Sequence, residues 1–590
     1  MPFCNTMIGF MQRSKATVHF CFGVLLVLLC FGVYANVLNG AFIWDDQLQV
    51  VRNGNIRTLD NIPRAFTTSL WSFMYSNGSA EENRVFDQYY RPLQTIIYIL
   101  AYRLGGLSPL VYHLINVILH CAATLLVYLL CLELRLPSTI AFMAGALFGT
   151  HPVHTEAVSW IAGVGDLLCG IFYFAALAAF LRYRSSQKPV WLWMSSLSFL
   201  GALLSKEMAA TLPGVIVLLM LMAPKRQRPD LKRAISILAP YLLAMAAYGA
   251  LRIAAAGLNP SATIVPAASP LDWITFGLWI VGHYLRYSVA PYPLYIYHLV
   301  PLHFHDRVLS TVLYGTCISA VAVLLWTLRH RFREAPLWLA IFGVMLAPVL
   351  YFKGISGGVF FAERYLYLPS MAIVVLAGIL LARWSRTRAI VVACSITFVF
   401  SLLTIQRNRD WHDEEALFQR TLQFQPEAVN IWTSVAEIYL RREDNTRALE
   451  YFQNALKRTS DTRFLQSSYE SYRIYLGLGT VAARQSKPAE AVEYLQKAME
   501  IYPQGDGAYT QLGGVLITWG QRYGDAMVLL EKAIQLSAVN EFARDYMGVA
   551  LVNQGKYEQA IKYFREALEI NPDLESAKQH LQVALQAKNH

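Results

Sequence analysis

Long apolar runs separated by short polar stretches extend to about residue 405, and amphipathic segments follow. Most runs approach about 18–22 residues, the length of helix that crosses the hydrocarbon core of a bilayer. The pattern predicts an all-α protein with a membrane domain over residues 1–406 and a soluble domain over residues 407–590. We predict about eleven spans, at residues 18–34, 108–133, 138–150, 161–181, 190–204, 208–223, 234–254, 309–327, 335–351, 368–383 and 388–405.

Four segments of the soluble domain repeat one pattern of small and large apolar residues, with starts near Val429, Tyr472, Gly507 and Glu541. This pattern is typical of tetratricopeptide repeats, in which small residues let two antiparallel helices pack closely and the array forms a concave groove. A generic helical hairpin domain is the alternative. We expect an α-solenoid with a lead-in helix over 411–428 and a polar cap over 574–588. The repeated positions are Ala436, Gly479, Gly514 and Gly548, then Ala448, Ala491, Ala526 and Ala560, then Phe452, Leu495, Leu530 and Phe564, then Ala455, Ala498, Ala533 and Ala567.

Composition agrees with a membrane protein. Of the 590 residues, 55% are hydrophobic and 15% charged, against about 25% charged in soluble domains. The net charge of +11 comes from short basic clusters between apolar runs, which set orientation in a bilayer. We therefore expect membrane lipid and no nucleic acid as a partner. The eight cysteines lie mostly in apolar runs and indicate small buried side chains without a disulfide framework.

The basic clusters also predict the topology. With the N-terminus inside and the first apolar run retained as a span, residues 37–107 form a long outer loop. Residues 272–290 resemble a further span, but a full crossing there would put Arg329, Arg331 and Arg333 outside. A re-entrant or interfacial helix over 272–290 removes the conflict. The repeats then emerge on the non-cytoplasmic side.

Two adjacent carboxylates, Asp45 and Asp46, follow the first span in this outer loop. One of them can act as a general base while the other orients or assists it. A solvated helix cap or turn is the alternative interpretation of the pair.

Two histidines and a carboxylate lie within six residues at His151, His154 and Glu156, with Asp166 shortly after. They can ligate a metal or hydrogen-bond a phosphate and sugar hydroxyls. Neither the spacing nor Pro152 matches a helical zinc motif, so we favour the polar interpretation and leave a divalent metal open.

Two further charged segments adjoin predicted spans: one contains Lys206 and Glu207, and the other contains Glu363 and Arg364. Lys206 is a candidate to balance a lipid phosphate with Glu207 orienting it, and Arg364 is a candidate for bidentate phosphate recognition. Lys353 precedes Arg364. A snorkelling Lys206 ion pair and a structural Glu363–Arg364 pair are the alternatives. We expect all these groups to form one polar cavity on the outer face.

Several separated motifs resemble one family, the transmembrane and tetratricopeptide repeat-containing proteins, which are similar to protein O-mannosyltransferases and belong to the GT-C glycosyltransferases. The motifs are FIWDDQLQVVRN from Phe42, RPLQTIIYIL, YHLINVILH, HPVHTEAVSWIAGVGDLL, SKE and AERYLYLPS. The resemblance implies a GT-C membrane domain with Asp45 and Asp46 as its acidic motif. Relatives usually have Gly-Arg-Ala-Asp where this chain has Gly163-Val164-Gly165-Asp166, so one phosphate or sugar contact is missing.

The resemblance also implies an activity. The donor would be a polyprenyl- or dolichyl-phosphate sugar, mannose in relatives, and the acceptor a Ser or Thr hydroxyl, with inversion at the sugar. The lipid-linked sugar is the donor substrate, no cofactor is assigned beyond it, and a divalent metal stays open. The repeats would bind the acceptor polypeptide or a partner protein, on the periplasmic side of a bacterial inner membrane or the lumenal side of the endoplasmic reticulum.

The sequence leaves three alternative functions. Transfer to a lipid or glycan acceptor needs the same membrane domain, and a non-catalytic membrane-tethered scaffold would explain the departure at Val164. A transporter is disfavoured, because the polar residues are expected at one face instead of along a path through the bilayer.

Overall fold

The computed structural model describes residues 2–74, 89–221, 223, 228–257, 269–299, 304–327, 331–332, 334–350, 361–460 and 468–588. Helices and turns make up this part of the chain, and it contains no β-strand. The all-α fold class is thus confirmed. The chain divides into a first unit of residues 1–73, 84–298 and 303–417 and a second unit of residues 74–83, 299–302 and 418–590.

The helices of the first unit overlap every predicted span and residues 272–290. They are α1 (Pro2–Tyr34), α2 (Ile62–Ala65), α3 (Pro92–Gly105), α4 (Pro109–Glu133), α5 (Ser138–Gly149), α6 (Thr155–Ser159), α7 (Val164–Ser186), α8 (Pro189–Ser205), α9 (Leu212–Leu221), α10 (Leu231–Ala256), α11 (Pro270–Val289), α12 (Phe304–Thr327), α13 (Glu334–Leu346), α14 (Ser370–Leu381), α15 (Arg386–Asp410) and α16 (Glu414–Phe424), which continues into the second unit.

Five of the described helical segments are long and apolar enough to cross a membrane, so this is a membrane protein. The count of about eleven spans remains a prediction, because the other apolar helices are shorter. The five segments are Ala16–Asn39, Pro109–Glu133, Ile161–Ser186, Leu231–Ala256 and Arg386–Asp410.

Helix α7 is the most buried of these spans and packs against α4 and α8. Small residues permit close approach between helices of this unit, as is usual in membranes. A Cβ at Gly149 would lie 2.4 Å from the Sγ atom of Cys30, and one at Gly170 would lie 2.6 Å from the ring of Tyr367. Large apolar side chains such as Phe20, Leu197 and Phe398 are exposed, as a lipid-facing surface requires.

The predicted outer loop, residues 37–107, holds short helical turns and α3 in its described part. It packs against α4 and the start of α7 through a buried apolar cluster that includes Val50, Ile56, Tyr98, Tyr112 and Val164. The cluster therefore fixes Asp45 and Asp46 next to the N-terminal end of α7.

The second unit consists of helix pairs. Its helices are α17 (Val429–Arg441), α18 (Asn445–Arg458), α19 (Ser468–Arg484), α20 (Pro488–Ile501), α21 (Asp506–Thr518), α22 (Tyr523–Leu536), α23 (Glu541–Asn553), α24 (Tyr557–Ile570) and α25 (Glu575–Lys588). The predicted repeat starts lie at or within a few residues of α17, α19, α21 and α23, and the predicted cap coincides with α25. The interval between the first two repeat starts is longer than the others, which predicts an insertion around residues 461–470. That segment falls largely outside the described residues.

The repeated alanines and large apolar residues are buried in every pair, from Ala448 and Phe452 to Phe564 and Ala567. The third repeat differs in one detail from the sequence pattern. Gly513, and not Gly514, lies against Leu530, because the turn between α21 and α22 is one residue longer than in the other pairs.

Candidate functional site

Asp46 is a fully buried carboxylate that holds the outer loop to the start of α7. It accepts hydrogen bonds from the backbone N–H of Ile43 at 3.1 Å and of Ala162 at 2.9 Å. Two charge-assisted bonds to backbone donors make this side chain a structural anchor.

Asp45 has a different environment from its neighbour. Its side chain is half-buried, and no hydrogen bond or ion pair of its carboxylate is found within the described part of the chain. Burial raises the pKa of Asp45 from 3.8 to about 6, against the positive charge of Arg364, which lowers it. A carboxylate with this pKa is largely ionised at neutral pH and remains basic enough to accept a proton.

Trp44 precedes this pair in a left-handed backbone conformation, with φ of 52°. Its backbone N–H donates to Oε1 of Glu414 at 2.8 Å, and its indole stacks on Trp160 with ring centres 5.2 Å apart. A bulky residue with positive φ is uncommon and is seen where the surrounding structure enforces it. These contacts enforce it here and direct the chain into Asp45.

Three ion pairs lie in this part of the structure, and the cation of one of them, Arg364, acts electrostatically on Asp45. Arg364 binds Glu156 with both its backbone N–H, at 2.9 Å, and its guanidinium. Lys206 Nζ lies 2.6 and 2.7 Å from the two carboxylate oxygens of Asp166. Such buried partners fix each other's position, because removing either one leaves an uncompensated charge.

The third pair joins Arg91, at the start of α3, to Glu207, with Nη2 3.0 Å from Oε2. The pairs are near enough to influence one another. Although burial opposes it, Glu207 and Asp166 raise the pKa of Arg91, and Glu156, Tyr365 and Asp166 raise that of Arg364. The charges predicted at four separate segments therefore meet in one cluster.

Aromatic rings separate the cations of this cluster. The ring of Tyr365 has Lys206 Nζ 5.5 Å from its centre and the guanidinium carbon of Arg364 at 5.1 Å. The Arg364 guanidinium also lies 5.3 Å from the ring centre of Trp160. Cation–π contacts of this kind hold a guanidinium in place without using its N–H donors.

The histidines lie apart from the ion pairs, in a buried aromatic cluster. Nε2 of His151 is 3.2 Å from the Ser288 carbonyl oxygen, and Nε2 of His154 is 2.8 Å from Oγ of Ser370. The ring of His154 packs against Tyr367, with ring centres 4.9 Å apart. Glu156 turns away to Arg364, and the described residues contain no group of three or more His, Cys, Asp or Glu side chains that could hold a metal ion.

Glu363 pairs with Arg407 at 3.4 Å, so the alternative of a Glu363–Arg364 pair is wrong. Lys353 lies outside the described residues. The residues that the sequence analysis missed are Arg91, Trp160 and Tyr365. Arg91 carries a usable signal, because it is a charge placed directly before Pro92 at the start of an apolar helix.

The departure at Val164 has a structural basis. Val164 is buried in the apolar cluster beneath the acidic loop, next to Ile161 and Tyr98. A Cβ at Gly165, where relatives have alanine, would lie 2.7 Å from Oε1 of Gln94. Valine and glycine therefore suit the local packing, and the cations of the site come from other segments.

The models of the tetratricopeptide repeat family match residues 427–504 and 546–574. Across the chain, protein O-mannosyl-transferase TMTC3 of Mus musculus is 23% identical over 96% of this chain and 62% of its own length. Protein O-mannosyl-transferase F38B6.6 of Caenorhabditis elegans is 27% identical over 76% of this chain and 63% of its own. The chain is therefore similar to the TMTC protein O-mannosyl-transferases over most of its length.

A shorter match to another relative has a higher sequence identity. Protein O-mannosyl-transferase Tmtc1 of Drosophila melanogaster is 35% identical over 31% of this chain and 21% of its own length. The TMTC-like chain described here thus spans about three fifths of the length of the mouse and nematode relatives, which are 62% and 63% covered.

Proposed function

We propose that this chain is a membrane glycosyltransferase that moves mannose from a polyprenyl- or dolichyl-phosphate donor to a Ser or Thr hydroxyl of a protein. Two findings support the proposal: its relatives are named protein O-mannosyl-transferases, and Asp45 is a carboxylate that has no hydrogen bond or ion pair among the described residues and is influenced by the positive charge of Arg364. The proposed chemistry depends on one observation, that the Asp45 carboxylate has no hydrogen-bond or ion-pair partner among the described residues.

In this proposal Asp45 is the general base and Asp46 positions it. Asp45 accepts the proton of the acceptor hydroxyl as that oxygen attacks the anomeric carbon. The hydrogen bonds of Asp46 to Ile43 and Ala162 occupy its carboxylate, whereas Asp45 is open to a substrate. One base in a direct displacement gives inversion. Glycosidases differ in using two carboxylates, one as the acid for the leaving group and one as the base or nucleophile, with water as the acceptor.

The leaving group is a lipid phosphate, and its developing charge needs positive partners. Lys206 uses two N–H bonds on Asp166 and retains a third, and Arg364 has guanidinium donors beyond the one that Glu156 accepts. Each such donor contributes about 2–4 kcal/mol to stabilising a transition state in other enzymes. Glu156 and Asp166 hold these two cations, and Glu207 holds Arg91.

The repeats of the second unit are the proposed acceptor-binding part. Tetratricopeptide arrays present a concave surface to extended peptides or partner proteins. Covalent linkage to the transferase raises the local concentration of a bound acceptor. The basic clusters of the sequence favour a non-cytoplasmic location for the array and the acidic loop.

Reconstitution tests the proposal. The full chain in liposomes is supplied with polyprenyl-phosphate mannose and a Ser/Thr-rich peptide, and mannosyl peptide is measured by mass spectrometry. We expect wild type and Asp60→Asn, a matched exposed aspartate of the same loop, to transfer mannose and Asp45→Asn to lose transfer by about 100-fold or more. Undiminished transfer by the double variant D45N/D46N would exclude the proposed base.

A further inference from the structure

A cavity of about 590 Å³ opens at the C-terminal end of α7. The ends of α4, α7 and α9 and the start of α10 form its wall, which includes Glu133, Arg135, Arg184 and Arg233. Pockets of this volume hold small molecules or part of a larger amphiphile.

The cavity and the candidate active site lie at opposite ends of one helix. Asp166 is in the first turn of α7 and Arg184 in the last. At 1.5 Å per residue, the 18 residues between them (184 − 166) correspond to roughly 27 Å, close to the thickness of a hydrocarbon core. The cavity is therefore at the other membrane surface and is a separate site.

Arginines outnumber carboxylates on the wall. Three guanidinium groups, from Arg135, Arg184 and Arg233, line the cavity with one carboxylate, Glu133. Glu133 also binds Arg182, with Nη1 and Oε1 3.3 Å apart. The wall thus has an excess of positive charge, and guanidinium forks match the geometry of phosphate oxygens.

Helix capping does not account for all three arginines. Arg184 donates to the Leu219 carbonyl at 3.2 Å near the end of α9, and Arg233 donates to Oε1 of Gln187. The exposed side chain of Arg135 has no hydrogen bond or ion pair to any described residue. A cation with all its donors free faces this cavity.

The backbone keeps side chains at two positions of the wall where glycine is the usual residue. Arg135 and Gln187 follow the C-terminal ends of α4 and α7 with φ of 62° and 57°. Left-handed residues at helix ends are commonly glycine, because a Cβ is disfavoured there. Two such residues at one cavity are a reason to look for a function of their side chains.

Five large apolar side chains also line the cavity: Leu134, Phe180, Leu181, Met220 and Ile237. Phe180, Leu181 and Ile237 are buried. Apolar side chains together with cations suit a ligand that has a hydrocarbon part and an anionic head. Basic pockets between transmembrane helices bind lipid head groups by this arrangement.

We propose that this cavity binds an anionic phosphate group, carried by a membrane lipid whose chains contact the apolar wall. A soluble phosphate compound offers the same head chemistry without the chains. The site is independent of mannosyl transfer.

The experiment measures the melting temperature of the full chain in zwitterionic micelles with added ligand. Binding to the native state raises this temperature by mass action. We expect short-chain phosphatidic acid to raise it and phosphatidylcholine of equal chain length to leave it unchanged. Inorganic phosphate is the third arm: if it alone reproduces the shift, the carrier is soluble, and if it does not, the carrier is the lipid.

Arg135→Gly separates binding from folding. Because glycine suits the left-handed position, the unliganded variant should melt at the wild-type temperature or above it. Its affinity for phosphatidic acid should fall about tenfold, and further in R135G/R233Q, through lost charge-assisted bonds. Arg135→Lys should keep part of the affinity, and Arg386→Gln, an exposed arginine at the start of α15, should retain all of it.

Three results would overturn the proposal. One is the absence of a shift by either phosphate-bearing anion with the wild-type chain. The second is an equal shift by phosphatidylcholine, which would mean that apolar contacts alone act. The third is an unchanged affinity in R135G/R233Q, which would show that the anion binds elsewhere.

Discussion

The two ends of α7 carry charge in different ways. At the N-terminal end, the cations Arg91, Lys206 and Arg364 each have a carboxylate partner. At the C-terminal end, the arginines of the cavity are more exposed and one of them, Arg135, has no partner among the described residues.

The difference separates two tasks. Paired, buried charges are held in fixed geometry, which a reaction needs when charge develops at one place in the transition state. Unpaired, solvated charges keep their donors for a ligand and cost little to leave exposed. The proposed catalytic end and the proposed binding end of α7 should therefore respond differently to mutation.

The largest expected effect is on stability when a buried pair is broken. Glu156→Gln leaves the guanidinium of Arg364 without its buried counter-charge, which costs about 3–5 kcal/mol in comparable pairs. Glu133→Gln at the other end removes a pair whose arginine side chain is 53% exposed, and should cost less than about 1 kcal/mol. Thermal unfolding of both variants measures the contrast, and equal losses would contradict it.

A smaller effect separates the two aspartates of the acidic loop. Asp46→Asn keeps one acceptor for the N–H groups of Ile43 and Ala162 and loses the other, at about 1–3 kcal/mol for the unsatisfied donor. Asp45→Asn removes a carboxylate that burial disfavours and should leave stability unchanged or increase it. Denaturation of both variants at pH 7 checks this, and a larger loss in D45N than in D46N would reverse the assignment.

The pKa of Asp45 gives opposite pH dependences for activity and stability. Its value of about 6 in the folded chain exceeds the ordinary 3.8, so the folded state binds the proton more tightly than the unfolded state. Protonation below pH 6 therefore stabilises the fold and removes the base. We expect kcat/KM to fall about tenfold per pH unit below 6. Any residual activity of D45N should not show this fall below pH 6.

The repeats and the apolar helices follow from local patterns, which is why the sequence predicts them well. Ala491, Leu495 and Ala498 are buried because their spacing puts them on one helix face. The third repeat is the exception, since a turn one residue longer moves the contact to Gly513. A single added residue in a turn leaves no mark on apolar spacing.

The candidate site depends on partners far apart in the chain. Nothing near Glu156 indicates that its partner is Arg364, 208 residues away, or that Asp166 pairs with Lys206. The sequence identified these charges as unusual because each adjoins an apolar run, where an unpaired charge is costly. It did not identify their pairing, because pairing is decided by how the helices pack.

The smallest expected effect is on stability, when a left-handed residue without a proposed function is replaced by glycine. Ser486 has φ of 58° in the turn between α19 and α20, where the last repeat has Gly555 with φ of 74°. Its exposed side chain has no hydrogen bond to any described residue, so Ser486→Gly should stabilise by about 0.5–1 kcal/mol and raise the melting temperature by about 1–4 °C. Arg135→Gly should behave alike in stability and differ in losing phosphate affinity. If S486G lowers the melting temperature, the left-handed conformation is not a source of strain at such positions. The backbone conformation of Arg135 would then no longer support a function for its side chain, and the proposal would rest on its guanidinium, which has no partner among the described residues.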